Sequence, residues 1–351
     1  MAGSLLACQG DALEPSAPGD TSPPAPPSSR FDAYHGAETG SFAVTSHDLV
    51  IEDPTRGRPV PLRVVAPEGD GSFPVVVFSH GVWGSRDHYT AFVTHWASHG
   101  YVSLLPEHDD PVAEDGEGNP FSEWQARVDD VRLVLETIDD IGAYVPALAG
   151  RLDPTRVGVA GHSFGAHTAQ LLVGTRIFVA PGQEAESRRD PRIAAAFLLA
   201  PQGRNAQLGD QAWDDVDLPF MSMTGSRDYG RTHLGEDVVW RFDPFLLAAS
   251  DTKYLAFIFG AWNDFGGATG TLLRDHVEAQ RQREAPGAGD DPSVVRYALG
   301  TSHAFWDAHL RQDDTAREYL TTGVLERRTA GEARTIDDPA DAAPIIDALT
   351  D

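Results

Sequence analysis

Short apolar runs separated by polar, Gly- and Pro-containing stretches dominate the chain from about residue 40 onward. Ser41 to Val50 and Val60 to Ala66 flank a turn with Asp53-Pro54 and Gly57-Arg58-Pro59. This pattern predicts an antiparallel pair at a sheet edge. Six further runs follow: Val75 to Phe78, Tyr101 to Leu105, Val157 to Ala160, Ala194 to Ala200, Phe220 to Met223 and Tyr254 to Phe259. Their unbroken apolar character is that of parallel strands covered on both faces. Helix-length patterns occupy Tyr89 to His99, Ser122 to Ile141, Ala166 to Val173 and Ser293 to Leu320. The alternation predicts an α/β fold, a mostly parallel sheet with helices on both faces, formed as one domain over residues 31–328. No internal repeat is visible. Residues 261–292 are too long and too charged for an ordinary connection and read as an insertion, a lid being one possibility. Residues 329–351 read as an acidic peripheral tail.

Composition narrows the function classes. Across 351 residues, 53 acids oppose 27 Lys and Arg, a net charge of −26 that repels phosphate backbones and argues against a nucleic-acid partner. A single cysteine, Cys8, precludes an intrachain disulfide and a cysteine metal site. Leu5-Leu6-Ala7-Cys8 resembles the end of a bacterial lipoprotein signal, and the Pro-rich stretch to about residue 30 resembles a disordered tether. The charged and apolar parts of such a signal are missing. The expectation is export from a bacterium, with membrane attachment through a lipidated Cys8.

The candidate chemistry centres on Gly161-His162-Ser163-Phe164-Gly165, a Gly-x-Ser-x-Gly stretch between a strand-like run and a helix-like run. That context predicts a nucleophile elbow carrying Ser163. Phe78-Ser79-His80-Gly81-Val82-Trp83-Gly84 has the form of an oxyanion loop, with the Val82 and Phe164 N–H groups as donors. Asp228, after the Met221 to Thr224 strand and Gly225, has the place of the triad acid, with a solvated loop carboxylate as the alternative. Trp83 and His162 are the candidate substrate-binding side chains. His108 with Asp109 and Asp110, and His88 beside Asp87, read as solvated surface rather than metal ligands.

These residues, with Ala97-Ser98-His99-Gly100-Tyr101 and Pro106-Glu107-His108, resemble the platelet-activating-factor acetylhydrolase and dienelactone-hydrolase-like branch of the α/β-hydrolases over roughly residues 40 to 325. The resemblance implies an acyl-enzyme ester hydrolysis on short-chain or polymeric esters, with no metal or cofactor, Ser163 as nucleophile, Asp228 as acid and Val82 and Phe164 at the oxyanion. Bacterial polyester hydrolases are neighbours, but Gln202 stands where they place an aromatic clamp, and their C-terminal disulfide cannot form here. Relatives carry the base in the loop after the last core strand. Here Lys253 to Phe265 contains no histidine. His303, in Gly300-Thr301-Ser302-His303, and His276, in the insertion, are the remaining candidates. Helical spacing of Val295, Leu299, Ser302, Trp306 and Leu310 also allows His303 to be a packing residue. A catalytically degenerate hydrolase fold acting as a binding protein is the second functional reading.

Overall fold

The apolar runs pair into one large sheet because each presents hydrophobic side chains to both faces. In the first parallel strand, Val75 and Val77 enter one core while Val76 and Phe78 enter the other, the period-two alternation of a strand buried on both sides. The computed structural model describes residues 37–110, 120–180, 182–230, 237–270 and 290–350. Among these the strands of the large sheet are β1 (Val44–Asp53), β2 (Arg58–Pro67), β3 (Phe73–Ser79), β4 (Val102–Pro106), β5 (Leu152–His162), β6 (Ile193–Leu199), β7 (Phe220–Arg227), β8 (Lys253–Trp262) and β9 (Ala333–Ile336). Their order is β1-β2-β4-β3-β5-β6-β7-β8-β9. The stretch from β4 to β8 is parallel, and the edges are antiparallel.

Helices α1 (Thr90–Ser98), α2 (Trp124–Glu136), α3 (Phe164–Leu172), α4 (Pro292–Leu310), α5 (Asp314–Thr321) and α6 (Ala343–Thr350) cover the sheet. α2 and α3 bury Val128, Val131, Ala169 and Leu172 in one core, whereas α1 and α4 bury Trp96, Phe305 and Trp306 in the other. Gly158 in β5 leaves room for the Trp306 ring, which a side chain there would meet. The mostly parallel, two-faced α/β architecture is the one the apolar pattern predicts. No helix among the described residues is long and apolar enough to cross a membrane.

Two elements differ from the pattern reading. The predicted Ser293 to Leu320 helix is broken after Leu310, where Gln312 takes φ 59° and the Asp313 carboxylate accepts from the Thr315 N–H at 2.7 Å, capping a new helix. The segment read as a peripheral tail instead supplies β9, paired antiparallel with β8, and α6. Ile336 and Ile345 close a third apolar cluster with Phe242 and Phe257. The tether with Cys8 and most of the 261–292 insertion lie outside the described residues.

Ile336→Ala tests whether this C-terminal segment is core. We expect a loss of about 2–5 kcal/mol in urea unfolding. A truly peripheral tail would give a change near zero.

Candidate active site

β5 delivers Ser163 to a turn that no ordinary strand end adopts. Its backbone lies at φ 53°, ψ −114°, immediately before α3, a costly conformation for a residue with a side chain and the hallmark of a nucleophile elbow. Two glycines permit it. A Cβ on Gly161 would strike the Gly165 carbonyl, and one on Gly165 would strike the Ser79 carbonyl. The Ser163 N–H donates to Leu199 O at 2.9 Å, and its carbonyl accepts from the His167 N–H at 3.1 Å. Both neighbouring elements therefore hold the strained turn.

The loop after β3 closes as a turn, the Gly84 N–H donating to Gly81 O at 3.0 Å. Its other amides are used selectively. The Gly81 N–H donates to the Tyr89 hydroxyl at 2.8 Å and the Trp83 N–H to Asp110 Oδ2 at 2.8 Å. Val82 N–H has no acceptor among the described residues, and Phe164 is the first residue of α3. These are the two amides named as oxyanion donors. Arg127 fixes the loop from below, donating to His80 O at 2.6 Å and Gly81 O at 3.1 Å while Asp110 accepts from its Nε at 2.8 Å.

A second serine sits in a Ser-His-Asp chain underneath. The Ser79 Oγ lies 2.9 Å from His108 Nε2, and His108 Nδ1 lies 2.9 Å from Asp130 Oδ2. All three side chains are buried, and Asp130 also accepts from Arg58 at 2.6 Å. Burial holds the His108 imidazole below its ordinary range. At Asp130 burial pushes upward, but His108 and Arg58 outweigh it and keep the carboxyl low. The His108 N–H donates to His80 Nε2 at 3.0 Å, so this network braces the loop after β3. The reading of His108 as solvated surface is thereby corrected: Asp130, 22 residues away in α2, is its carboxylate partner.

His162, expected to contact substrate, is instead fully buried. Its Nδ1 lies 3.1 Å from the Tyr89 hydroxyl and its Nε2 2.9 Å from Asn263 O. Because a carbonyl only accepts, Nε2 carries the proton and Nδ1 accepts from Tyr89. Burial lowers its pKa to about 3, which keeps the ring neutral. Asn263 continues the chain: its Nδ2 donates to Asp228 Oδ1 at 2.6 Å. A bulge in β8 between Ile258 and Trp262 brings Asn263 to this point.

Asp228 stands after β7 as expected, but it is fully buried rather than solvated. Thr224 Oγ1 donates to Oδ2 at 2.9 Å, and Arg241 Nε lies 3.0 Å from Oδ1. Burial raises its pKa, with Arg241, Asn263 and Thr224 opposing that shift. In the described structure the partners of the acid are thus an amide, a hydroxyl and a guanidinium. No described imidazole is bonded to it.

His303 does not join Ser163. It lies in α4 against Tyr101, ring centroids 6.2 Å apart, and Tyr101 immediately precedes β4. Val102 of β4 aligns through Val75 with Val157 of β5. Six residues, about 20 Å of strand, separate Val157 from Ser163. The catalytic expectation for His303 is corrected: the helical spacing wins, and the ring packs at the N-terminal end of the strands. His276 lies outside the described residues. Trp83 is half exposed in the turn after β3.

A chlorophyllase family model matches residues 33–175, the segment from before β1 through the loop after β3, the Ser163 turn and α3. The chain is an α/β-hydrolase. This α/β-hydrolase is 26% identical over 143 residues to chlorophyllase type 0 of Chenopodium album, covering 40% of the chain and 39% of that protein. Chlorophyllase-1 of Arabidopsis thaliana is 28% identical over 134 residues, 38% of the chain and 39% of the relative. A platelet-activating factor acetylhydrolase of Cavia porcellus is 28% identical over 148 residues, 31% of the chain and 34% of the relative. The match thus spans under two fifths of each relative's length. The expectation of an exported bacterial protein is corrected by these relatives, two from plants and one from a mammal, and is not retained.

Two outcomes follow from the buried polar chain. Tyr89→Phe strands the Gly81 N–H and His162 Nδ1, and we expect about 1–3 kcal/mol of destabilisation in urea unfolding. Stability should also fall as the medium becomes acidic. His162 and His167 are lowered by burial to about 3 and about 4 from 6.5, so between those values the unfolded chain binds protons that the folded chain refuses. Their contribution is complete above about pH 6.5 and shrinks on acidification, each by up to about 1.4 kcal/mol per pH unit. Asp228, with its raised pKa, acts in the opposite sense. Urea midpoints at pH 7.5 and 5.0 for wild type and His167→Gln check this; His167→Gln should show the smaller loss.

Proposed function

We propose that this α/β-hydrolase cleaves carboxylic esters through an acyl-enzyme on Ser163. The observation that carries the reading is the strained backbone of Ser163, held between Gly161 and Gly165 beside the Val82 turn. In this reading Ser163 Oγ attacks the ester carbonyl, and Val82 and Phe164 N–H stabilise the oxyanion. Collapse of the tetrahedral intermediate expels the alcohol, and water then releases the acid. Trp83, half exposed, forms one wall of the acyl site. Asp228 fixes the acid side of the site, and His276 is the base we retain. The names of the relatives supply chlorophyll and the acetyl ester of platelet-activating factor as substrates to try beside short-chain and polymeric esters.

A second reading rests on one contact. Asn263 Nδ2 occupies Asp228 Oδ1, and an amide does not accept a proton at neutral pH. A chain with no other base would be a binding protein on a hydrolase scaffold.

Hydrolysis of p-nitrophenyl acetate and butyrate separates the two. The esterase reading expects Ser163→Ala and His276→Ala each to lose about a thousandfold or more, and a fluorophosphonate to label Ser163 in the wild type. The binding reading expects wild type and Ser163→Ala to be equally slow, with Asn263→His gaining at least about a hundredfold by placing an imidazole on Asp228.

A further inference from the structure

Three histidines meet at the end of the sheet remote from Ser163. His95 lies in the last turn of α1 and His99 caps that helix. Four residues apart, they share one helix face. His303 reaches them from α4. Ring centroids are 4.8 Å apart for His95 and His99, 5.5 Å for His95 and His303, and 3.7 Å for His99 and His303. One nitrogen from each ring can be chosen so that all three lie within 4.8 Å of one another. His95 and His303 are buried, and His99 is half buried.

Packing alone would account for three stacked rings. What points beyond packing is how two of them are oriented. His99 Nε2 donates to the Glu38 carbonyl at 2.7 Å, which puts the lone pair of that ring on Nδ1. His303 Nε2 faces Asp307 Oδ2 at 3.1 Å. Asp307 is itself held by the Tyr101 hydroxyl at 2.6 Å and Arg311 Nη1 at 3.0 Å. A carbonyl behind one imidazole and an anchored carboxylate behind another are the outer contacts that orient metal-binding histidines and raise their basicity.

We propose that His95, His99 and His303 form a binding site for a divalent transition cation of the zinc class, linking α1 to α4. Imidazole nitrogens suit Zn²⁺, Co²⁺ and Ni²⁺, whereas Mg²⁺ and Ca²⁺ require oxygen. Tetrahedral Zn–N bonds place ligand nitrogens about 3.4 Å apart, so modest ring rotation closes the site. Its role is structural. The ion would tie the helix that follows the oxyanion loop to the helix that covers β5, without touching Ser163.

Co²⁺ titration of the chelator-treated full chain tests the site. We expect one equivalent to bind with a visible absorption band of tetrahedral cobalt, and Zn²⁺ to displace it and raise the melting temperature. His99→Gln, the least buried substitution, should weaken binding more than about tenfold, and Asp307→Asn by about 10–100-fold. Ser163→Ala should leave it unchanged. Far-UV circular dichroism and the urea midpoint of the metal-free variants identify any that fail to fold, and Asp307→Glu provides a second test that keeps the carboxylate. Absence of saturable binding in the wild type, or undiminished binding in a folded His99→Gln, overturns the proposal.

Discussion

A neutral imidazole that nothing outside the protein can reach holds the loops of the candidate active site together. His162 carries one acceptor and one donor, and it spends them on the Tyr89 hydroxyl from the β3 side and the Asn263 carbonyl from the β8 side. The bonds run without a break from Gly81 N–H through Tyr89, His162 and Asn263 to Asp228. Four loops at the C-terminal ends of β3, β5, β7 and β8 are fixed relative to one another by that chain. Each member is buried or half buried, so each bond stands against the cost of an unsatisfied polar group in low dielectric. A strained Ser163 backbone persists because its surroundings leave it no alternative.

The two serines show why a Ser-His-Asp contact does not by itself define a reactive site. Ser79 and Asp130 each lie within hydrogen-bonding distance of His108, yet Ser79 is fully buried at the end of the regular strand β3. Ser163 is half exposed on a strained turn between β5 and α3, beside the loop that carries Val82. Access and backbone geometry separate the two. The acid is similarly ambiguous in isolation: Asp228 lies in the expected loop, but Asn263 and Arg241 take the contacts an imidazole would make.

The strands were legible because burial on both faces demands continuous apolar runs, and Val75 to Phe78 or Phe220 to Met223 read no other way. The elbow was legible because only glycine fits at 161 and 165. Depth was not. His108 sits among acids in sequence, and its buried partner, Asp130, is supplied by a helix 22 residues on. His162 looked like a pocket residue because the motif places it beside Ser163, but the strand pleat turns it inward. The C-terminal strand escaped notice because Ala333-Arg334-Thr335-Ile336 has only its two ends buried. His303 imitated a catalytic pattern locally while its helix periodicity assigned it to α4. The His95 and His99 pair, one helical turn apart, was a visible signal whose third member only the fold reveals.

The tautomer of His162 tests this account most directly. In ¹⁵N-labelled protein, with His162→Gln used to assign the signals, two-bond imidazole correlations should show a neutral ring protonated at Nε2 and unchanged from pH 8 to pH 5. A ring that takes up a proton in that range, or one protonated at Nδ1, would contradict the account, because neither form can accept from Tyr89 while donating to Asn263.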